Sequence, residues 1–200
     1  MADIDYFFAT LSPYAYLAGD RLERIAAKHG ATIAYKPLDL LALFSRTGGI
    51  ALPDRHPSRL EYRAIELKRQ AKKLNMPFNL KPAHWPTNMA PSAYAVIAAQ
   101  SAGGGDLGGL VQSFLRGCWA EEKDIADDAV IRDCLQAAGF DPALADSGLL
   151  QGAETYARNL DEAVERGVFG VPFYLTSDGH RFWGQDRLAD LDLHLSEAGA

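Results

Sequence analysis

Strand-like patterning is confined to the two ends of this chain, and about a hundred consecutive residues between them read only as helix. Residues 4–9 form a short apolar run of strand length, after which Ala18, Leu22, Ile25 and Ala26 recur at helical spacing behind Ser12. Gly30 supplies a stop, and residues 32–35 read as a second strand closed by Pro37. Strand, helix and strand in so short a stretch most often make a right-handed parallel crossover. Near the other end, residues 171–176 read as a strand, Ser177-Asp178-Gly179 as a turn and residues 180–183 as the second arm of a hairpin. Leu188, Leu191 and Leu195 then mark a closing helix. The order is β-α-β, a helical block, then β-β-α, which an α/β sheet interrupted by an all-helical insertion satisfies.

Within the block, residues 38–44 read as an irregular apolar connection and residues 47–57, rich in Gly and Pro, as a loop. Ser58-Arg59-Leu60-Glu61 has the form of a capping box. Leu60, Ala64, Leu67, Ala71 and Leu74 mark one face of the helix behind it, which Pro77 ends. Residues 79–88 make an extended, proline-rich connection, and helices are expected over 91–102, 107–118, 130–138 and 153–164. The glycine-rich run from Gly103 to Gly109 follows a helix and lacks a phosphate-binding lysine, so it reads as a linker.

A net charge of −6 argues against a dedicated nucleic-acid binder. With no leader pattern and no apolar run of membrane-spanning length, a soluble cytoplasmic protein is expected. The two cysteines, Cys118 and Cys134, lie in apolar helical patterns without C-x-x-C spacing and read as buried free thiols. Five histidines fall without H-x-x-x-H or H-E-x-x-H spacing, so no metal site is expected.

The residue with the most chemical promise is Ser12, at the N-cap of the first helix with Pro13 at the first helical position, where a missing N–H costs nothing. A hydroxyl beside free backbone N–H groups suits an anion or a thiolate; it also suits a plain helix cap. Asp186, at the start of the closing helix, reads on its own as a cap.

Three motifs occur in order around the helical block: Ser12-Pro13-Tyr14-Ala15-Tyr16, Phe169-Gly170-Val171-Pro172-Phe173, and Phe182-Trp183-Gly184-Gln185-Asp186-Arg187-Leu188. Together they resemble the DsbA-like, kappa-class glutathione transferase branch of the thioredoxin fold, and within it the 2-hydroxychromene-2-carboxylate isomerases, over nearly the whole chain. The resemblance implies a thioredoxin-like domain from residues 1–45 and 168–200, with residues 46–167 as a helical insertion domain. It also implies glutathione as cofactor. Disulfide-exchanging members of the fold carry C-x-x-C where this chain has Ser12-Pro13-Tyr14-Ala15, and without a thiol that exchange is excluded here. What the resemblance implies instead is that Ser12 donates to the glutathione sulfur. Val171 and a cis Pro172 would take the cysteinyl backbone as an added strand, and Gln185 and Asp186 would meet the γ-glutamyl end.

A second, aromatic substrate would need apolar walls and a cation for its carboxylate. Phe44, Arg46, Trp85 and Asn88, together with His84, fall in segments beside the insertion boundaries, whereas Arg59, Arg63 and Arg69 read mostly as a solvated helix face. An asparagine that such isomerases often present after the second strand has no counterpart in Thr47-Gly48-Gly49-Ile50-Ala51-Leu52. Three functions stay open: a glutathione-dependent isomerase interconverting 2-hydroxychromene-2-carboxylate and trans-o-hydroxybenzylidenepyruvate, or a related aromatic intermediate; a kappa-like transferase; and a non-catalytic thioredoxin-fold binding module. The expected partner is a small aromatic molecule, with no nucleic acid and no membrane. The resemblance leaves a homodimer open, without a residue pattern that marks its interface.

Overall fold

The computed structural model describes residues 3–198; residues 1, 2, 199 and 200, which the expected thioredoxin-like segments include, lie outside them. Its centre is strand β1 (Ile4–Phe8), every residue of which is buried. β2 (Ile33–Pro37) pairs parallel to β1, with Ile4 opposite Ile33 and Phe8 opposite Pro37. β3 (Phe173–Thr176) pairs antiparallel on the other side, with Phe7 opposite Phe173, and β4 (Arg181–Trp183) completes the order β2-β1-β3-β4.

Alternation along β1 sorts its side chains between two cores. Ile4, Tyr6 and Phe8 face one, where Tyr6 stacks on Phe8 and Tyr174; Phe7 and Ala9 face the other, with Leu38, Leu43, Val168 and Phe173. Asp5 points into the second side and is held by Lys36 and Arg166, at 3.3 and 2.5 Å.

The expected first helix is two. α1 (Pro13–Tyr16) is a single turn, and α2 (Arg21–His29) follows a break at Gly19, whose φ is +59°. Arg21 caps that break, its guanidinium donating to the carbonyls of Leu17 and Ala18 at 2.7 and 2.9 Å. The connection expected after β2 is in fact helix α3 (Leu40–Thr47), started by Asp39, whose Oδ1 accepts from the Leu41 and Ala42 N–H groups. That aspartate interrupts an otherwise apolar run in the sequence, and its role as a cap is the signal that was missed.

α4 (Pro57–Lys73) begins one residue ahead of the expected capping box, because His56 is the cap and Pro57 takes the first position. Its buried face is narrower than expected: Leu67 and Ala71 are buried, while Leu60 is exposed. α5 (Ala90–Ala102), α6 (Leu107–Ala120), α7 (Asp128–Ala137), the short α8 (Leu144–Ser147) and α9 (Leu149–Glu165) complete the block, and α10 (Leu188–Ala198) closes the chain. Cys118 and Cys134 are free and buried, as expected. Burial pushes the Cys118 thiol up to about 12, which leaves it protonated and inert at neutral pH.

Apart from a small cluster of Ala93, Ile97 and Tyr156 between α5 and α9, the block shares its core with the sheet. Phe114, Cys118 and Trp119 of α6 share one apolar cluster with Ile4, Tyr6 and Phe8 of β1 and with Tyr16 of α1. A row of rings, Tyr16, Phe78, Trp119 and Trp85, runs from α1 into the block, and the Tyr16 hydroxyl donates to the Pro77 carbonyl at 2.6 Å.

Candidate active site

β1 ends at Phe8 and β3 begins at Phe173 at the same end of the sheet, so the segments just beyond them meet there. From the first comes Ser12, 3 % exposed. Its N–H donates to the Ala9 carbonyl at 2.9 Å and its Oγ accepts from the Ala15 N–H at 3.2 Å. The hydroxyl proton itself meets no acceptor among the described residues. Pro13 has no N–H, and the Tyr14 N–H finds no acceptor either, so two donors converge at the start of α1.

From the second comes Val171-Pro172, a cis peptide. Sheet pairing starts only at Phe173, and neither the N–H nor the C=O of Val171 is hydrogen-bonded within the described residues. The Pro172 carbonyl accepts from the Gly184 N–H at 2.9 Å, which draws the end of β4 alongside. Gly184 holds φ at +110°, a conformation side chains resist, and so turns the chain directly into Gln185 and Asp186.

These last two differ. Gln185 is buried, and its Oε1 accepts from Arg21 at 2.5 Å, tying α2 to the far end of the chain. Asp186 is 54 % exposed and keeps only a 3.1 Å contact with Arg187. Ser12, Val171, Pro172, Gln185 and Asp186 are thus brought to one end of the sheet from opposite ends of the sequence.

The residues expected around a second substrate fare unevenly. Phe44 is half-buried on α3, with the Arg55 guanidinium 5.7 Å above its ring. Arg46 is exposed and paired with Asp161 at 2.6 Å, so its charge is already answered. Trp85 stands against Trp119, with its Nε1 buried and unpartnered, and Asn88 is an exposed turn residue accepting from the Ala90 N–H at 3.1 Å. Arg63, expected on the solvated face of α4, is instead half-buried one turn ahead of Leu67. Its spacing to Leu67 and Ala71, four and eight residues on, is the signal that could have found it.

At the opposite end of β3 lies a cluster that chain spacing does not reveal. Asp178, His180 and His194 hold ligand-type atoms within 4.8 Å of one another. The groups already serve each other: His194 Nε2 is 2.9 Å from Asp178, the two imidazoles stack at 4.1 Å, and Thr176 donates to Asp178. Asp178 is held below the usual carboxylate range chiefly by that Thr176 bond.

A thioredoxin-type sheet with a serine at the helix start and an unpaired backbone edge facing it defines a class. The chain belongs to the DSBA-like thioredoxin domain family, whose model matches residues 3–196. Within that family it is similar to the 2-hydroxychromene-2-carboxylate isomerase of Sphingobium xenophagum, at 29 % identity over 96 % of this chain and 97 % of the relative. It is also similar to glutathione S-transferase kappa 2 of Caenorhabditis elegans, at 26 % identity over 97 % and 92 %. Among solved structures, a 2-hydroxychromene-2-carboxylate isomerase superposes with a TM-score of 0.78 at 26 % identity, covering 98 % of this chain and 95 % of the other. These relatives are isomerases and transferases. No described helix is long and apolar enough to cross a membrane.

Proposed function

We propose that the protein is a glutathione-dependent isomerase of the 2-hydroxychromene-2-carboxylate type. The observation that carries this reading is the meeting of an unspent hydroxyl proton on Ser12 with the unpaired backbone of Val171 at one sheet end. A γ-glutamyl tripeptide fits those groups in one pose: its cysteinyl backbone on Val171 in strand fashion, its sulfur at Ser12, and its α-amino group toward the exposed Asp186 carboxylate. Bound glutathione would supply a thiolate that adds reversibly to a conjugated double bond, leaving it single long enough to rotate. The chain's part is to keep that sulfur ionised. The Ser12 hydroxyl and the Tyr14 N–H both donate to the charged form and so lower the thiol pKa.

Titration of glutathione into the protein, with the thiolate followed by its ultraviolet absorbance across pH, tests the reading. Ser12→Ala is expected to raise the pKa of the bound thiol by about one unit, or about 1.4 kcal/mol, and to lower isomerisation at neutral pH. An unchanged pH profile would remove Ser12 from the chemistry, and no binding at millimolar glutathione would leave a non-catalytic binding module. A kappa-like transferase is the second reading, supported by the transferase relatives. Conjugation of an aryl halide much faster than isomerisation would favour it.

A further inference from the structure

Among the described residues, Asp178, His180 and His194 are the one group of three metal-ligating side chains to converge, and the thiol chemistry proposed above uses none of them. Asp178 and His180 flank Gly179, whose φ of +91° closes the turn between β3 and β4, and His194 arrives from α10. One ligand-type atom from each falls within 4.8 Å of the other two. With ligands about 2.1 Å from a tetrahedral zinc, their donor atoms sit about 3.4 Å from one another. His194 Nε2 and Asp178 Oδ2 are already 2.9 Å apart, and His180 is exposed, so a rotation of its ring closes the remainder at little cost.

The carboxylate is oriented from behind. Thr176, buried in β3, donates its hydroxyl to Asp178 Oδ1, which leaves Oδ2 turned to His194. The same Thr176 Oγ1 accepts from the His180 N–H at 3.1 Å, so one buried hydroxyl braces both residues of the turn. A second hydrogen bond of this kind is what commonly aims a metal-binding carboxylate. His194 is fixed separately: its ring packs on those of His180 and Phe182, with centroids 4.1 and 5.7 Å away. Asp178 and His194 also open onto a surface cleft of about 540 Å³, which gives an entry path and room for water. Lys28 and His29, on the far wall of that cleft, are both held by Asp192, at 2.8 and 2.7 Å, so the lysine charge there is answered.

The geometry points to a binding site for a borderline divalent ion of the zinc type, ligated by the imidazoles of His180 and His194 and by Asp178 Oδ2, with water completing the shell. On binding, the ion replaces the proton shared by His194 and Asp178, which leaves to solvent. Two imidazoles and one carboxylate select such an ion over magnesium or calcium, which take oxygen ligands. Gln185 and Asp186 lie between His180 and His194 in the chain, so the ion staples α10 to the β3–β4 turn and closes the segment that carries them. Its role is structural, at the end of β3 opposite Val171 and Ser12. The assignment replaces the expectation of no metal site, which rested on spacing along the chain.

Protein stripped with a chelator and desalted is titrated calorimetrically with zinc, in the absence of glutathione, which would itself bind the ion. One zinc per chain is expected. His180→Asn and His194→Asn each weaken it about tenfold or more, whereas His29→Asn binds as the wild type does and excess magnesium does not compete. Zinc at a hundredfold excess over its dissociation constant raises the wild-type melting temperature by about 5–10 °C and leaves that of His194→Asn unmoved. The exposed position of His180 makes His180→Asn the safer variant for folding, and zinc-free melts of both variants separate lost ligands from lost structure. No saturable binding at millimolar zinc overturns the site, as does equal affinity in the wild type and both variants. A loss confined to His29→Asn also overturns it, since the ion would then sit on His29 and Asp192.

Discussion

Glu23 on α2 has only one of its carboxylate oxygens satisfied, by the Tyr35 hydroxyl at 2.9 Å; the other is buried without a partner. Burial therefore raises its pKa above the ordinary 4.5. A folded-state pKa above the unfolded one means that the folded protein binds the extra proton first, so this group's contribution to stability improves as pH falls through the folded value and is least favourable at neutral pH. Glu23→Gln keeps an acceptor for Tyr35 and removes the charge. It is expected to raise the melting temperature at pH 7, by about 1 kcal/mol in stability, with the gain over wild type shrinking as pH approaches 4.5; calorimetric scans across that range read it directly. Ser12→Ala is different in kind. It loses a cap worth about 1 kcal/mol, visible in denaturant titration, while its larger effect is expected on the pH profile of the bound thiol.

At the scale of elements, the site depends on how α5 is fastened to the loop after β1. Ser92 and Thr10 are both fully buried; Ser92 Oγ donates to Thr10 Oγ1 at 2.8 Å, and Thr10 Oγ1 lies 3.2 Å from the Met89 carbonyl, which it reaches as donor. This clip joins the helical block to the chain two residues before Ser12. Ser92→Ala is expected to cost about 1–2 kcal/mol in urea unfolding, since it leaves a buried oxygen short of a donor. The same scale shows what chain patterning can convey. β1, β2 and the long helices were legible because alternation and helical spacing run through them, and Ser12-Pro13 was legible because a cap is local. The break between α1 and α2 was not, because Arg21 makes it by reaching back to carbonyls. Nor was the Asp178–His180–His194 cluster, whose first two members lie between β3 and β4 and whose last comes from α10.

Taken as a whole, the molecule buries the two halves of its sheet and the helical block around common clusters, with Trp119 of α6 and Tyr6 of β1 in the same one. Residues 1–45 with 168–200, and residues 46–167, are thus joined through a shared cluster. Thermal unfolding followed by far-ultraviolet and near-ultraviolet circular dichroism is expected to give one coincident transition, because the largest cluster spans both parts and only the small Ala93–Ile97–Tyr156 cluster belongs to the block alone. Two resolved transitions would mean that the block holds together without the sheet.

The antiparallel neighbour of β1 is β3, so the middle of the sheet is completed by a strand from near the end of the chain. During synthesis the N-terminal part emerges first, and a nascent protein that has reached α9 presents β1 with β2 on one side and a bare edge on the other. That edge carries Ile4, Tyr6, Phe7 and Phe8, a sequence of the sort that recruits other strands. Translation that stops before Phe173 thus yields a chain whose central strand keeps an unpaired apolar edge, an aggregation hazard that only roughly the last thirty residues remove.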